Sequence, residues 1–261
     1  MLSALIIFLV ALAGGCLPLW ARWNHRMLHA AVALSAGVFL GAVFLHMLPS
    51  ISMLEVGEHA EEVLESHDAL TMSSHVHGSQ GAQGVWIFVL VGVLGVYLAE
   101  ALVLRSHDHD EQHQHRAVGY AALVGLSIHA FTTGVGLSAA LVGSAFGTPL
   151  LLAILLHKGF ESFSLVSVFQ LASIRRKRLA VILVFFSLVT PLGVLVGQLA
   201  ASRLSEHGLN VMTALAAGTF LYVCLCELLP EVFHHREDVI LKFVLLAVSI
   251  GAMAMLDGVG V

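Results

Sequence analysis

Two stretches of this sequence place ionisable side chains inside runs that are otherwise apolar. In GLSIHAFTTGVGLSAAL, spacings of four and three residues put His129, Thr133 and Gly136 on one helical face. In ILLHKGFESFSLV the same rule aligns His157, Glu161 and Ser164. If the two stripes face each other, His129, His157 and Glu161 offer two imidazole nitrogens and a carboxylate, a set suited to zinc and related divalent ions. Thr133 or water would complete the shell, and replaceable oxygen ligands would let an ion leave again. The competing reading is a structural hydrogen-bond network, in which polar and small residues hold membrane helices together. A charge at mid-bilayer costs roughly 2.5 to 3.5 kcal/mol on insertion scales. The pairing of His157 with Glu161 one turn on, and His129 one helix earlier, therefore favours function. Lys158 stands about 100° around the helix from His157. There it can pair with a carboxylate or snorkel, and its ammonium would repel a second metal ion.

Such stripes need helices that cross a bilayer. Of the 261 residues, 58% are hydrophobic and 11% charged, against about 25% charged in soluble domains. A hydrocarbon core of about 30 Å takes roughly 20 apolar residues per helix. Runs of that kind predict spans near 3–21, 27–50, 84–104, 117–142, 147–172, 179–202, 208–229 and 239–258. The class is all-α, a polytopic membrane protein of eight helices forming one membrane domain over residues 1–261. Met1 to Leu19 could pass for a secretory signal ending near Cys16, but it lacks the basic first segment of one and is read as the first span.

The basic residues test the eight-span count. Loops after spans one, three, five and seven hold Arg22 and Arg26, then Arg105 and Arg116, then Arg175 to Arg178, then Arg236, with Lys242 close by. The opposite loops hold only Arg203. Cytoplasmic loops are enriched in Lys and Arg, so those four loops are expected in the cytoplasm and both termini outside it. An odd number of spans would destroy this segregation.

Two loops and several isolated groups complete the polar inventory. The outer segment 51–83 carries Glu55, Glu58, Glu61, Glu62, Glu65 and Asp68 with His59, His67, His75 and His77, and has no Lys or Arg. The inner loop, about 105–116, contains SHDHDEQHQH. Its His107, His109, His113 and His115 alternate with carboxylates in a composition associated with metal handling, although a merely solvated loop would look the same. His46, just before Pro49, and Glu231, just after Pro230, are candidate gate residues for entrance and exit, or interfacial groups that reach water. Glu100 and Glu227 are weaker candidates, because polar groups near helix ends often snorkel or cap. Cys16, Cys224 and Cys226 fall inside predicted spans and read as packing residues rather than disulfides or ligands.

Taken in order, these segments resemble the ZIP (Zrt-, Irt-like) family of metal transporters. Gly37 to Ser50, GVFLGAVFLHMLPS, is similar to the family's second span with its His-x-x-Pro ending. HAFTTGVGL is similar to its His-Ser-x-x-acid-Gly signature, and HKGFES to its His-x-x-x-Glu signature. SLVTPLG and AGTFLYVCLCELLPE are similar to later segments. The resemblance implies eight spans with outward termini, a His-rich cytoplasmic loop after span three, and uptake toward the cytoplasm. It also implies an elevator-like motion in which spans one, four, five and six carry the metal against the others. It assigns His129, His157 and Glu161 to the primary metal site. Ala130 and Thr133 depart from the polar and often acidic residues of many members. Lys158 stands where some bacterial members have an acidic ligand of a second metal, so a single-metal site is expected with Lys158 as the substitute cation.

The expected function is uptake of a divalent ion, zinc first and iron, manganese or cadmium as alternatives, as transported substrate and not as cofactor. No enzymatic activity and no nucleic-acid partner are expected. The membrane is expected to be a plasma or bacterial inner membrane, and homodimerisation is left open. A different class is an intramembrane metal-dependent hydrolase or protease, in which the metal would activate water. His157-Lys158-Gly159-Phe160-Glu161 lacks the second His of HExxH, which argues against it. A metal sensor would leave the membrane stripe unexplained, and no GxxxxGK[ST] sequence for ATP-driven pumping is present.

Overall fold

The computed structural model describes residues 2–20, 23–49, 51, 80–103, 111–143, 147–200, 206–234 and 237–258. Among them are eight helices, and no strand is present. They are α1 (Leu2–Trp20), α2 (His25–Gly41, prolonged by a π-helical turn at Ala42–Met47), α3 (Gln80–Val103) and α4 (Glu111–Gly143). Then follow α5 (Gly147–Leu171), α6 (Arg176–Ala200), α7 (Glu206–Tyr222, prolonged by a π-helical turn at Val223–Leu228 and by Leu229–Phe233) and α8 (Val239–Gly258). Seven are long and apolar enough to cross a membrane, and the apolar part of the eighth, Val239–Met255, is shorter. Its 17 residues rise about 25 Å, at the short end of what spans a hydrocarbon core. The protein is therefore integral to a membrane, and α3 shows the consequence. Only 22% of its apolar window is buried, with Ile87, Leu90, Val91, Leu94 and Leu98 facing outward.

Two groups of helices pack together. α1, α4, α5 and α6 form one bundle, while α2 pairs with α8 and α3 with α7; α4 against α7 and α2 against α5 join the groups. Lipid tails are as apolar as the helices, so association relies on close van der Waals approach, and small residues supply it. A Cβ on Gly193 would strike the carbonyl of Phe131, and one on Gly134 would strike that of Thr190, so α4 and α6 meet backbone to backbone. Gly92 and Gly218 make the same reciprocal contact between α3 and α7.

Local signals fix the helix ends. Asn24 caps α2 by accepting from Met27 N at 2.8 Å. α5 stops in a Schellman-type turn, with Ile174 N donating to Phe169 O at 3.1 Å and Ser173 at φ 56°. The turn leads directly into α6 and makes the two helices antiparallel. At that end Gln170 Nε2 donates to Pro18 O at 2.6 Å and Arg176 Nη1 to Leu19 O at 2.9 Å. Arg26 Nε pairs with Glu237 at 3.3 Å and Asp238 at 3.6 Å. Exposed pairs of this kind contribute little stability, but they locate the loops: those after α1, α5 and α7 lie at one end, as an even number of crossings requires.

The helices run past the sequence reading at two ends that carry candidate residues. α4 begins at Glu111 rather than near 117, because EQHQHR contains no Gly or Pro to stop it. His113 and His115, expected in a loop, are therefore helical. α7 runs on through Pro230 to Phe233 rather than ending near 229. The outer segment over 52–79 and the inner-loop residues His107 and His109 lie outside the described residues.

Candidate metal site

α4 and α5 bring the two polar stripes face to face in the interior. His129 and Glu161 are each 1% exposed and His157 is 7% exposed. His129 Nε2 lies 3.6 Å from Glu161 Oε1, and His157 Nε2 lies 3.5 Å from the same oxygen. One ligand atom from each of the three falls within 4.8 Å of the others. Bonds of about 2.0 to 2.2 Å in tetrahedral array put neighbouring ligand atoms about 3.3 Å apart, so the two edges at Glu161 need contract by only a few tenths of an ångström to hold an ion, while the edge between the imidazoles, within 4.8 Å, closes by rotation of the rings.

Hydrogen bonding orients the donors. The carbonyl of Ala216 on α7 lies 3.0 Å from His129 Nδ1. A carbonyl only accepts, so Nδ1 carries the proton and the Nε2 lone pair turns toward Glu161. Such an outer partner fixes the tautomer of a metal-binding histidine. Below it, the ring stacks on Phe220, with centroids 4.2 Å apart and planes 11° apart. His157 Nε2 is buried and has no hydrogen-bond partner. An orphaned lone pair beside a carboxylate oxygen is costly in an apolar interior, and a cation would satisfy both. Thr133 Oγ1, 3.4 Å from His129 Nε2, stands close enough to follow as a further oxygen ligand.

Lys158 does not snorkel. It is 1% exposed, its Nζ lies 2.6 Å from Glu161 Oε2, and it sits 4.7 Å above the ring of Phe186. The ammonium thus takes one oxygen of Glu161 and leaves the other facing both imidazoles. Ser164 is fully buried on the same helix.

The remaining sequence candidates lie elsewhere. His46, half-buried, falls within the π-helical turn of α2. Glu231 is buried near the end of α7, 2.7 Å from Nδ1 of His115. Glu100 accepts a hydrogen bond from the Tyr222 hydroxyl across the α3–α7 contact. Cys224 is buried and Cys226 exposed, both free thiols. Sequence spacing missed the Ala216 carbonyl and the Phe220 platform, since both belong to α7 and no pattern within α4 points to them. It also missed the meeting of His115 with Glu231, which lie 116 positions apart.

A family model described as ZIP zinc transporter matches residues 103–257, more than half of the chain. The chain belongs to the ZIP zinc transporter family. Beyond the family model, this ZIP chain is similar to zinc transporter ZIP9-A of Xenopus laevis, 28% identical over 271 aligned residues covering 91% of this chain and 88% of the relative. It is also similar to zinc transporter ZIP2 of Mus musculus, 26% identical over 302 aligned residues covering 97% and 95%. A shorter match, 38% identical over 127 residues, joins 44% of the chain to 54% of zinc transporter ZIP9 of Macaca fascicularis. The ZIP match runs from the end of α3 into α8 and so contains His129, His157 and Glu161.

Proposed function

We propose that this chain carries a divalent metal ion, zinc first, across its membrane toward the cytoplasm, and that the ion passes through His129, His157 and Glu161. The observation that carries the reading is the buried donor triangle, in which His157 Nε2 has no hydrogen-bond partner and shares Glu161 Oε1 with His129. The family's named relatives are zinc transporters, and a set of two imidazoles and one carboxylate suits zinc. Lys158 supports transit of one ion at a time. With Glu161 already neutralised by Lys158, a bound divalent ion leaves the centre with net positive charge, which weakens binding and favours release. Thr133 serves as an exchangeable oxygen ligand.

The bundle of α1, α4, α5 and α6 would move as the carrier against α2, α3, α7 and α8. The basic loops face the cytoplasm, which puts both termini outside, in a plasma or bacterial inner membrane. His46 and Glu231 act near opposite ends of the path, and His107, His109, His113 and His115 handle metal along the SHDHDEQHQH tract. Homodimerisation belongs to the same reading, with lipid-facing apolar surface available to a second copy. The chain acts as a carrier and not as a hydrolase. Purified protein in liposomes tests the reading: radiolabelled zinc should accumulate down its gradient and saturate with zinc concentration. Flux no greater than in protein-free liposomes would overturn it.

A further inference from the structure

The C-terminal end of α1 and the N-terminal end of α6 meet at one corner of the bundle, where Arg176 Nη1 donates to Leu19 O at 2.9 Å. Each helix reaches that corner with an exposed apolar face. On α1 the face carries Leu2, Leu5 and Leu9 and ends at Trp20, which is 91% exposed. On α6 it carries Val181, Phe185, Leu188 and Leu192, spaced by three and four residues. Contiguous apolar surface of this kind on an integral membrane protein lies against lipid tails.

A run of four basic residues, Arg175 to Arg178, closes the corner, and all four are exposed. At about 100° per residue, Lys177 and Arg178 each fall within about 50° of the middle of the apolar stripe of α6, one on either side. Arg176 points about 150° away from it, toward α1. The charge at this corner is unmatched. The side chains of Arg175, Lys177 and Arg178 have no hydrogen bond or ion pair among the described residues. The sequence has no Asp or Glu between Glu161 and Glu206, and none before Glu55. The corner between α2 and α8 at the same end is different, since Arg26 meets both Glu237 and Asp238. The rule that enriches cytoplasmic loops in Lys and Arg is met by either arrangement, and the chain as a whole carries a formal charge of −5. Bare positive charge is therefore a local property of this lipid-facing corner.

We propose that the corner binds an anionic phospholipid of the cytoplasmic leaflet. Its phosphate lies between Lys177 and Arg178, its acyl chains follow the apolar faces of α1 and α6, and Trp20 sits at headgroup level. The guanidinium offers paired N–H donors to phosphate oxygens and the ammonium a compact charge. Tryptophan favours the membrane interface, and the anionic lipids of the cytoplasmic leaflet attract basic segments beside it. A phosphate free in water would satisfy the two cations but would leave Trp20 and the apolar faces without a role. Both α1 and α6 belong to the group read as the carrier, so the lipid is held by the part that moves. The inference rests on that reading for its sidedness and for this consequence.

Lipid binding by the purified full chain in detergent, without zinc and read by native mass spectrometry, tests the site. Phosphatidylglycerol should bind at least about tenfold tighter than phosphatidylcholine of the same acyl chains, with the preference shrinking as salt rises. The Lys177→Gln/Arg178→Gln variant should lose that preference, whereas Lys177→Arg/Arg178→Lys and Arg26→Gln should keep it. Glycerophosphoglycerol, the water-soluble headgroup, should not displace the lipid at equal concentration. Equal affinity for the two lipids, a preference that survives in the Gln double variant, or displacement by the soluble headgroup overturns the proposal. Protein that shows the preference yet passes no zinc in liposomes keeps the lipid site and overturns the transport reading instead.

Discussion

Glu161 gives one oxygen to Lys158 and leaves the other for the ion proposed to bind between His129 and His157. Breaking a buried pair by removing one partner costs about 3 to 5 kcal/mol, because a charge is left uncompensated. Lys158→Met should therefore lower the thermal midpoint of the metal-free protein in detergent and enlarge the rise on adding zinc, since the lost ammonium no longer repels the ion. An unchanged midpoint with an unchanged zinc response would remove Lys158 from the account. The triad was legible because helical spacing aligns His157 with Glu161, and because an ionisable side chain in an apolar run needs a reason. What spacing could not supply was the choice of partner for Lys158. A position about 100° from His157 allowed pairing or snorkelling equally, and the tight packing over Phe186 decided between them.

Helices meet here through glycine, and that sets how substitutions act. Gly193 touches the Phe131 backbone, whereas a Cβ on Gly136 would meet nothing within 4 Å. Gly193→Ala should destabilise the protein by about 1 to 3 kcal/mol through overpacking and should lower uptake. Gly136→Ala should be neutral or mildly stabilising, as alanine favours helix over glycine. Comparing the midpoints and uptake of the two variants checks this, and equal losses would contradict the packing described. Eight helices could be read from hydropathy because each needs its own apolar run. The π-helical turns could not. Both immediately precede a Leu-Pro pair, at Leu48-Pro49 and Leu229-Pro230, yet proline alone does not say whether a helix stops, kinks or widens its last turns. π-turns recur at functional sites, and these hold His46 and Glu227.

For the whole molecule, the gathering of the basic loops at one end was the most legible property, because charge segregation depends only on counting crossings. The hydrogen bonds and ion pairs of Arg26, Gln170 and Arg176 gather the loops after α1, α5 and α7 at one end. In a cysteine-free background, Arg26→Cys and Lys177→Cys should react with a membrane-impermeant thiol reagent only after cells are opened. Labelling of either in intact cells would reverse the proposed orientation. How the helices divide into two groups was not legible without the resemblance, since it depends on contacts between segments far apart in sequence, such as α1 with α5 and α3 with α7. The central claim is that a metal ion occupies the space between α4 and α5. Crystals grown with zinc and measured on either side of its absorption edge test it most directly. An anomalous peak about 2.0 to 2.2 Å from His129 Nε2, His157 Nε2 and Glu161 Oε1 is the expected result. Zinc peaks elsewhere in the protein, with none among these three atoms, would contradict it.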